Sequence, residues 1–294
     1  MTFFGPFRAS DQFGVLSRPR TRITIGLIPA TLLVIAVVHA QDAGLTFSIV
    51  HREIVEERLA SPPSRNEKRR ERLTALFAQA GCTDLAQQEV RDSKMTNVVC
   101  TLPGETSRVI LVGAHYDHTG DGDGIVDNWS GASLLTSLYE SLSSTPRKHT
   151  FIFVGFADEE RGLRGSRDYA KKLTPAEREL LEAVVNLDTL GLDLPKIWVS
   201  RSDERLVQWL VGLAAKLNVG VEGVNVEQVG STDSESFRKH KIPVITVHSL
   251  TQGTLKLIHS PWDRPNAINQ DAYFETYRLL AAYLTLLDSV WSPS

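Results

Sequence analysis

GAHYDHTGDGDGIVDNWSG, residues 113–131, follows the apolar run VILV at 109–112 and packs two His, four Asp and five Gly into a stretch too polar for a core. A strand that ends in such a run turns its last residues toward a ligand or solvent. In an open, largely parallel sheet, ligands sit outside the carboxyl ends of the strands. Other apolar runs in the chain end the same way. FIFVGFA (151–157) is followed by Asp158, Glu159 and Glu160, and VVNL (184–187) by Asp188. With His115 and Asp117 after VILVGA, three strand ends point acids or an imidazole at one place. Asp127 is carried there by the loop, just before the small, polar helix start NWSGAS, and His259 arrives from the long segment after IPVITV (242–247).

The rest of the chain supplies the alternation that such a sheet requires. Strand-like runs fall near 86–91 and 96–102 and at 108–114, 149–157, 183–188, 196–200 and 242–247. Helical periodicity covers 46–59, 65–80, 131–143, 165–173, 175–182, 203–217, 233–240 and 270–289, with SPPS (61–64) as a breaker between the first two. Strands alternating with helices imply a mostly parallel sheet covered on both faces. The first two strands, joined by a short polar turn, are expected to form an antiparallel edge hairpin.

Carboxylates gathered this closely repel one another, and most take up protons unless a cation balances them. Two imidazoles with several carboxylates suit zinc, ahead of manganese or cobalt. The acids outnumber what one four-coordinate zinc needs, and two ions sharing a carboxylate use them economically. A two-metal site that activates water and polarises a carbonyl is an arrangement for amide hydrolysis.

With 32 Lys and Arg against 35 Asp and Glu, the net charge is -3 and gives no footprint for nucleic acid. The basic stretch RNEKRRER (65–72) is interleaved with acids at helical spacing and reads as a solvated helix face. Arg18, Arg20 and Arg22 precede the uncharged run 23–38, and VHA offers a cleavage site after Ala40. Residues 1–40 are therefore expected to be an export signal, or an uncleaved membrane anchor, ahead of a single catalytic domain at 41–294. Either way that domain is expected outside the cytoplasm. Cys82 and Cys100 are open to two readings, a disulfide and a pair of isolated buried thiols; their spacing matches no zinc knuckle.

Five ordered motifs carry a resemblance: HYDH at 115, DNWSGAS at 127, DEERGLRGS at 158, NLDTLG at 186 and HSPWD at 259. Over roughly residues 95 to 288 the chain resembles the co-catalytic zinc aminopeptidases, metallopeptidase family twenty-eight, whose relatives include glutamate-releasing carboxypeptidases and glutaminyl cyclases. The resemblance implies an α/β three-layer sandwich with a mixed, mostly parallel central sheet and helices on both faces. It implies two zinc ions, one held by His115 and Asp188 and the other by Glu160 and His259, with Asp127 bridging. Glu159 would be the general base, and Asp117 would take the other proton of the His115 imidazole. STDSESFRKHKIPVI (231–245) also resembles the family's segment before its last metal histidine, which leaves Asp233 to touch a ligand or the substrate. Asp263, four residues past His259, could orient it. Ile258 stands where several relatives carry an aromatic residue.

The expected function is an exported exopeptidase, an aminopeptidase acting on small peptides. Ser130 and Gly131 favour it over a glutaminyl cyclase, which generally lacks this pair after the bridging Asp. A receptor-like domain without metals would lack ligands that are all present here. His248 lacks the acid that follows His259, and His118 reads as a loop residue. His51, His149 and His240 read as surface residues. The loop 119–127 lacks the twelfth-position Glu of a calcium hand, where Ala132 stands, and reads as a flexible link carrying Asp127.

Overall fold

The computed structural model describes residues 35–40 and 45–290, so the expected leader lies outside the described residues as far as residue 34. The strands are β1 (Ile35–Ala40), β2 (Leu45–Val50), β3 (Asp84–Glu89), β4 (Thr96–Leu102), β5 (Val109–His115), β6 (Thr150–Phe156), β7 (Leu181–Leu187), β8 (Lys196–Ile197), β9 (Glu222–Gly223) and β10 (Val244–His248). The helices are α1 (Arg52–Leu59), α2 (Asn66–Gln79), α3 (Ser130–Ser143), α4 (Arg164–Lys172), α5 (Pro175–Leu180), α6 (Glu204–Leu217), α7 (Ser234–Arg238) and α8 (Gln270–Val290). Among the described residues no helix is long and apolar enough to cross a membrane.

Eight strands form one sheet in the order β3-β4-β6-β5-β7-β10-β8-β9. Its centre, β6-β5-β7-β10, is parallel, and β3 and β4 form the expected antiparallel edge. Side chains alternate along β5: Ile110, Val112 and Ala114 face a large core shared with α2, α3, α6 and α8, whereas Leu111 faces a smaller one with Tyr169 of α4 and Phe237 of α7. The sheet is thus covered on both faces, and α3 is buried along almost its whole length. This fixes the parallel strands firmly, so that their carboxyl ends form a rigid platform.

One element differs from the sequence reading. Residues 45–50 are a strand, paired antiparallel with β1, and only 52–59 are helical. In LTFSIV the apolar residues satisfy both periods, and pairing with β1 and packing on α8, where the Tyr277 hydroxyl accepts the Val50 amide, decide for the strand. Cys82 and Cys100 form a disulfide with Cα atoms 6.3 Å apart, linking the turn after α2 to β4. A cross-link over 18 residues of chain is worth about 3 kcal/mol through the entropy of the unfolded state.

His149, read as a surface residue, is buried. It lies between two carboxylates at the end of the sheet remote from the acidic strand ends. Its Nδ1 is 3.0 Å from Asp288 of α8 and its Nε2 3.0 Å from Glu182 of β7, which also receives Arg108 at 2.6 Å. Burial lowers the imidazole pKa, but the two carboxylates outweigh burial and raise it; Asp288, which also faces Arg147, is held below its ordinary range. Stability from a raised imidazole is fully present below its unfolded value, about 6.5, and is lost as the pH rises through the folded one. The urea midpoint is therefore expected to fall as the pH is raised above about 6.5 and to fall much less in His149→Gln. Equal slopes in the two proteins would show that His149 is neutral throughout.

Candidate active site

The motif DNWSGAS builds the site's frame. The Asn128 amide donates to the Leu187 carbonyl at 2.9 Å, while its oxygen accepts the Thr189 amide at 3.1 Å and the Gly131 amide at 3.0 Å. Asn128 therefore grips β7 on both sides of Asp188. The Ser130 hydroxyl donates to the Val126 carbonyl at 2.7 Å and accepts the Leu190 amide at 2.9 Å. A Cβ at Gly131 would come within 2.6 Å of the Asn128 oxygen and 2.7 Å of the Leu187 carbonyl. Only glycine lets the helix start approach the strand this closely.

Onto this frame the strand ends deliver their side chains. His115 is the last residue of β5, and its Nε2 lies 3.2 Å from Asp127 Oδ1 and 3.7 Å from Asp188 Oδ1. Its Nδ1 is 3.1 Å from the backbone carbonyl of Asp117, which can only accept, so Nδ1 carries a hydrogen and Nε2 is the nitrogen that faces the acids. The Asp117 carboxylate is 3.7 Å from Nδ1 and accepts the amides of Glu159 and Glu160 at 3.1 and 3.3 Å. It therefore positions the Glu pair, while its carbonyl orients the imidazole.

The other Asp127 oxygen, Oδ2, lies 3.1 Å from His259 Nε2, which is also 3.0 Å from Glu160 Oε2. One carboxylate thus spans two imidazoles. Asp188 accepts hydroxyl hydrogen bonds from Thr189 at 3.0 Å and from Thr232 at 2.5 Å, and Thr232 in turn accepts the Asn186 amide at 2.7 Å. Asp158, Thr189 and His259 all hold positive φ, between 53° and 58°. Such conformations are uncommon outside glycine and cluster at functional sites.

Asp263 does not contact the imidazole it was expected to orient. Its carboxylate accepts the Val126 amide at 2.8 Å and the Asp127 amide at 3.0 Å, so it holds the backbone under the central carboxylate instead. Asp233 is buried at the start of α7 with neither oxygen hydrogen-bonded, and burial pushes its carboxyl up to about 7. Ile258 lines a cleft of about 440 Å³ beside the centre, with Trp198, Val226, Val229 and Leu250 as its apolar wall and Glu159 on its polar side. His248 lines the same cleft but is committed, donating to the Val224 carbonyl at 2.9 Å and accepting the Leu250 amide at 3.0 Å. His118 is likewise held by the Ser64 carbonyl and the Gly120 amide.

The loop 119–127 is not a loose link, and the agent that pins it comes from the stretch read as a solvated helix face. Arg69 of α2 is 0% exposed and donates to the carbonyls of Pro63 at 2.8 Å, Tyr116 at 3.4 Å, Gly124 at 3.0 Å and Asp123. It therefore ties the strand end next to His115 to the backbone just before Asp127. Burial lowers its pKa to about 10, where it remains charged. Arg69→Met keeps the apolar stem and strands these carbonyls, so a loss of about 3 kcal/mol is expected in urea unfolding. A loss below about 1 kcal/mol would mean that water replaces the guanidinium.

The side chains present fit a divalent cation. Ligand atoms of His115, Asp127 and Glu160 lie within 4.8 Å of one another, and Glu160 Oε1 is buried without a partner. Burial, with Asp233, Asp188 and Glu160, pushes the Glu159 carboxyl well up against the opposing pull of His115. Contacts with Asp127 and Glu160 raise His259 to about 11. Burial alone would raise Asp127, but the two imidazoles outweigh it and hold it below its ordinary range. Bound protons here mark excess negative charge that a divalent ion would balance in their place.

Thr232, Asn128 and Arg69 were not assigned roles from the sequence. Asn128 lies within a quoted motif, and Thr232 lies in the segment that resembles the family, so both positions were visible although their contacts were not. Arg69 had no local signal.

The chain shares sequence and fold with known proteins. The aminopeptidase YwaD of Bacillus subtilis is 30% identical over 135 residues, covering 45% of this chain and 30% of that protein. The chain spans about a third of the length of such curated relatives. Among solved structures, the LapA aminopeptidase of Legionella pneumophila superposes with a TM-score of 0.68 at 20% identity, covering 82% of this chain and 70% of that one. The glutaminyl cyclase of Porphyromonas gingivalis superposes at 0.63 and 18% identity, covering 79% and 95%. These two share the fold. The sequence model of peptidase family M28 matches residues 97–284, well over half of the chain, and the protein belongs to that family.

Proposed function

We propose that this protein is an exported aminopeptidase that holds two zinc ions and removes N-terminal residues from small peptides. The observation that carries the reading is Asp127, whose two carboxylate oxygens face two different imidazoles, His115 and His259. That arrangement suits a carboxylate shared by two ions, with His115 and Asp188 holding one and Glu160 and His259 the other. Zinc, when bound, supplies Lewis acidity toward a carbonyl and lowers the pKa of a water.

The chain's own residues do the remainder. Glu159 borders the cleft, and the Asp117 carboxylate fixes its backbone amide. In this reading it takes a proton from the attacking water and returns it to the leaving amine. The apolar wall of Trp198, Val226, Val229, Leu250 and Ile258 suits an apolar side chain on the departing residue. The Cys82–Cys100 disulfide supports an oxidising compartment, in keeping with an N-terminal leader, although Ile35–Ala40, the last part of the expected span 1–40, pairs with β2 as β1.

The test is turnover of an aminoacyl-anilide panel by the zinc-loaded protein, with an N-terminal glutaminyl peptide as competitor substrate. Release of anilide from apolar residues supports the reading. Ring closure of the glutaminyl peptide without anilide release would reassign the site to the cyclase reaction, which the shared fold also accommodates.

A further inference from the structure

The molecule carries net negative charge, yet one groove beside the site is strongly basic. It has a volume of about 700 Å³ and is lined by Arg91, Arg161, Arg164, Arg167 and Lys171, all exposed. Two acids share it. Asp168 is already taken by Lys172 at 2.7 Å and by the Arg91 amide at 3.3 Å, which leaves Asp92 as its counterweight. Arg164 donates to the backbone carbonyl of Asp92 at 2.8 Å, and the nearest carboxylate oxygen to Arg161 is 4.0 Å away on Asp158. Arg91, Arg167 and Lys171 have no carboxylate within ion-pair distance among the described residues.

Position gives this charge a use. Arg161 directly follows Glu160, and it lines both the basic groove and a polar cleft of about 660 Å³ bordered by Asp117, His118 and Glu160. The centre therefore opens two ways: on the Glu159 side to the apolar-walled cleft, on the Glu160 side through Arg161 to the basic groove. A peptide whose first side chain filled the apolar cleft would have the Glu160 side, toward Arg161, open to its remaining residues.

We infer that the basic groove binds carboxylate side chains of the substrate downstream of the scissile bond, so that the enzyme prefers peptides with acidic residues after the first. The inference rests on the aminopeptidase reading above and deepens it. Exposed ion pairs are individually weak and screened by salt, so two or three together give a preference of about three- to tenfold that fades in high salt.

The test compares kcat/KM for two C-terminally amidated peptides that begin with leucine and carry Glu or Gln at the following three positions, with leucyl-anilide as a reference that has no downstream chain. The zinc-loaded full chain is expected to favour the Glu peptide about three- to tenfold at low salt. Arg167→Glu with Lys171→Glu is expected to abolish or invert that preference while changing anilide turnover less than twofold, since neither side chain has an ion-pair or hydrogen-bond partner among the described residues. Equal rates on the Glu and Gln peptides, or a preference untouched by the double substitution, would overturn the groove and leave the aminopeptidase reading standing. No turnover of anilide or of either peptide would overturn both.

Discussion

Glu159→Gln is expected to lower kcat for anilide hydrolysis by about 10²- to 10⁴-fold while zinc content stays at the wild-type value. The substitution is isosteric. It removes the ability to accept a proton but leaves the backbone amide on Asp117 Oδ1, and Glu159 is not among the side chains whose ligand atoms crowd around Asp127. The two readouts separate a base from a ligand. Loss of zinc in step with activity would make Glu159 a metal ligand, and activity within about tenfold of wild type would remove it from proton transfer.

Asp127→Ala is expected to lose both zinc and activity, because it deletes the one carboxylate that faces both imidazoles. It also leaves His115 and His259 without their shared partner. Removal of a shared ligand acts on both ions at once, so zinc content should fall toward zero rather than to one ion per chain. Retention of one zinc with partial activity would mean that the ions bind independently and that Asp127 serves only one of them. Asp263 offers a milder perturbation of the same group, since it reaches Asp127 only through the backbone amides.

The fold and the neighbourhood of the site were legible because both follow from local pattern. The apolar runs 109–112, 151–157 and 184–187 announced buried parallel strands, and the polar residues that terminate them announced where a ligand belongs. What stayed hidden depended on contacts distant in sequence. Arg69 sits in a helix whose charges alternate as a solvated face would. It is drawn inward by carbonyls about fifty residues away that no pattern in α2 reveals. His149 is buried by Glu182 and Asp288, from two other elements, and its own polar surroundings in sequence suggested exposure. Asp117 and Asp263 were recognised as residues that matter to the site, but the hydrogen bonds of both carboxylates go to backbone amides, and Asp117 reaches the His115 imidazole chiefly through its carbonyl. A carboxylate four residues from a histidine can serve either, and the path of the loop decides. Segment 45–50 failed for a different reason: six residues are too few to separate a strand period from a helical one.

The most direct measurement is elemental analysis of the purified chain, made on the same sample as a leucyl-anilide assay. About two zinc per chain with anilide release, both lost on chelation and both restored by zinc, is the expected result. A protein that carries no zinc, or that releases anilide at an unchanged rate after chelation, would contradict it.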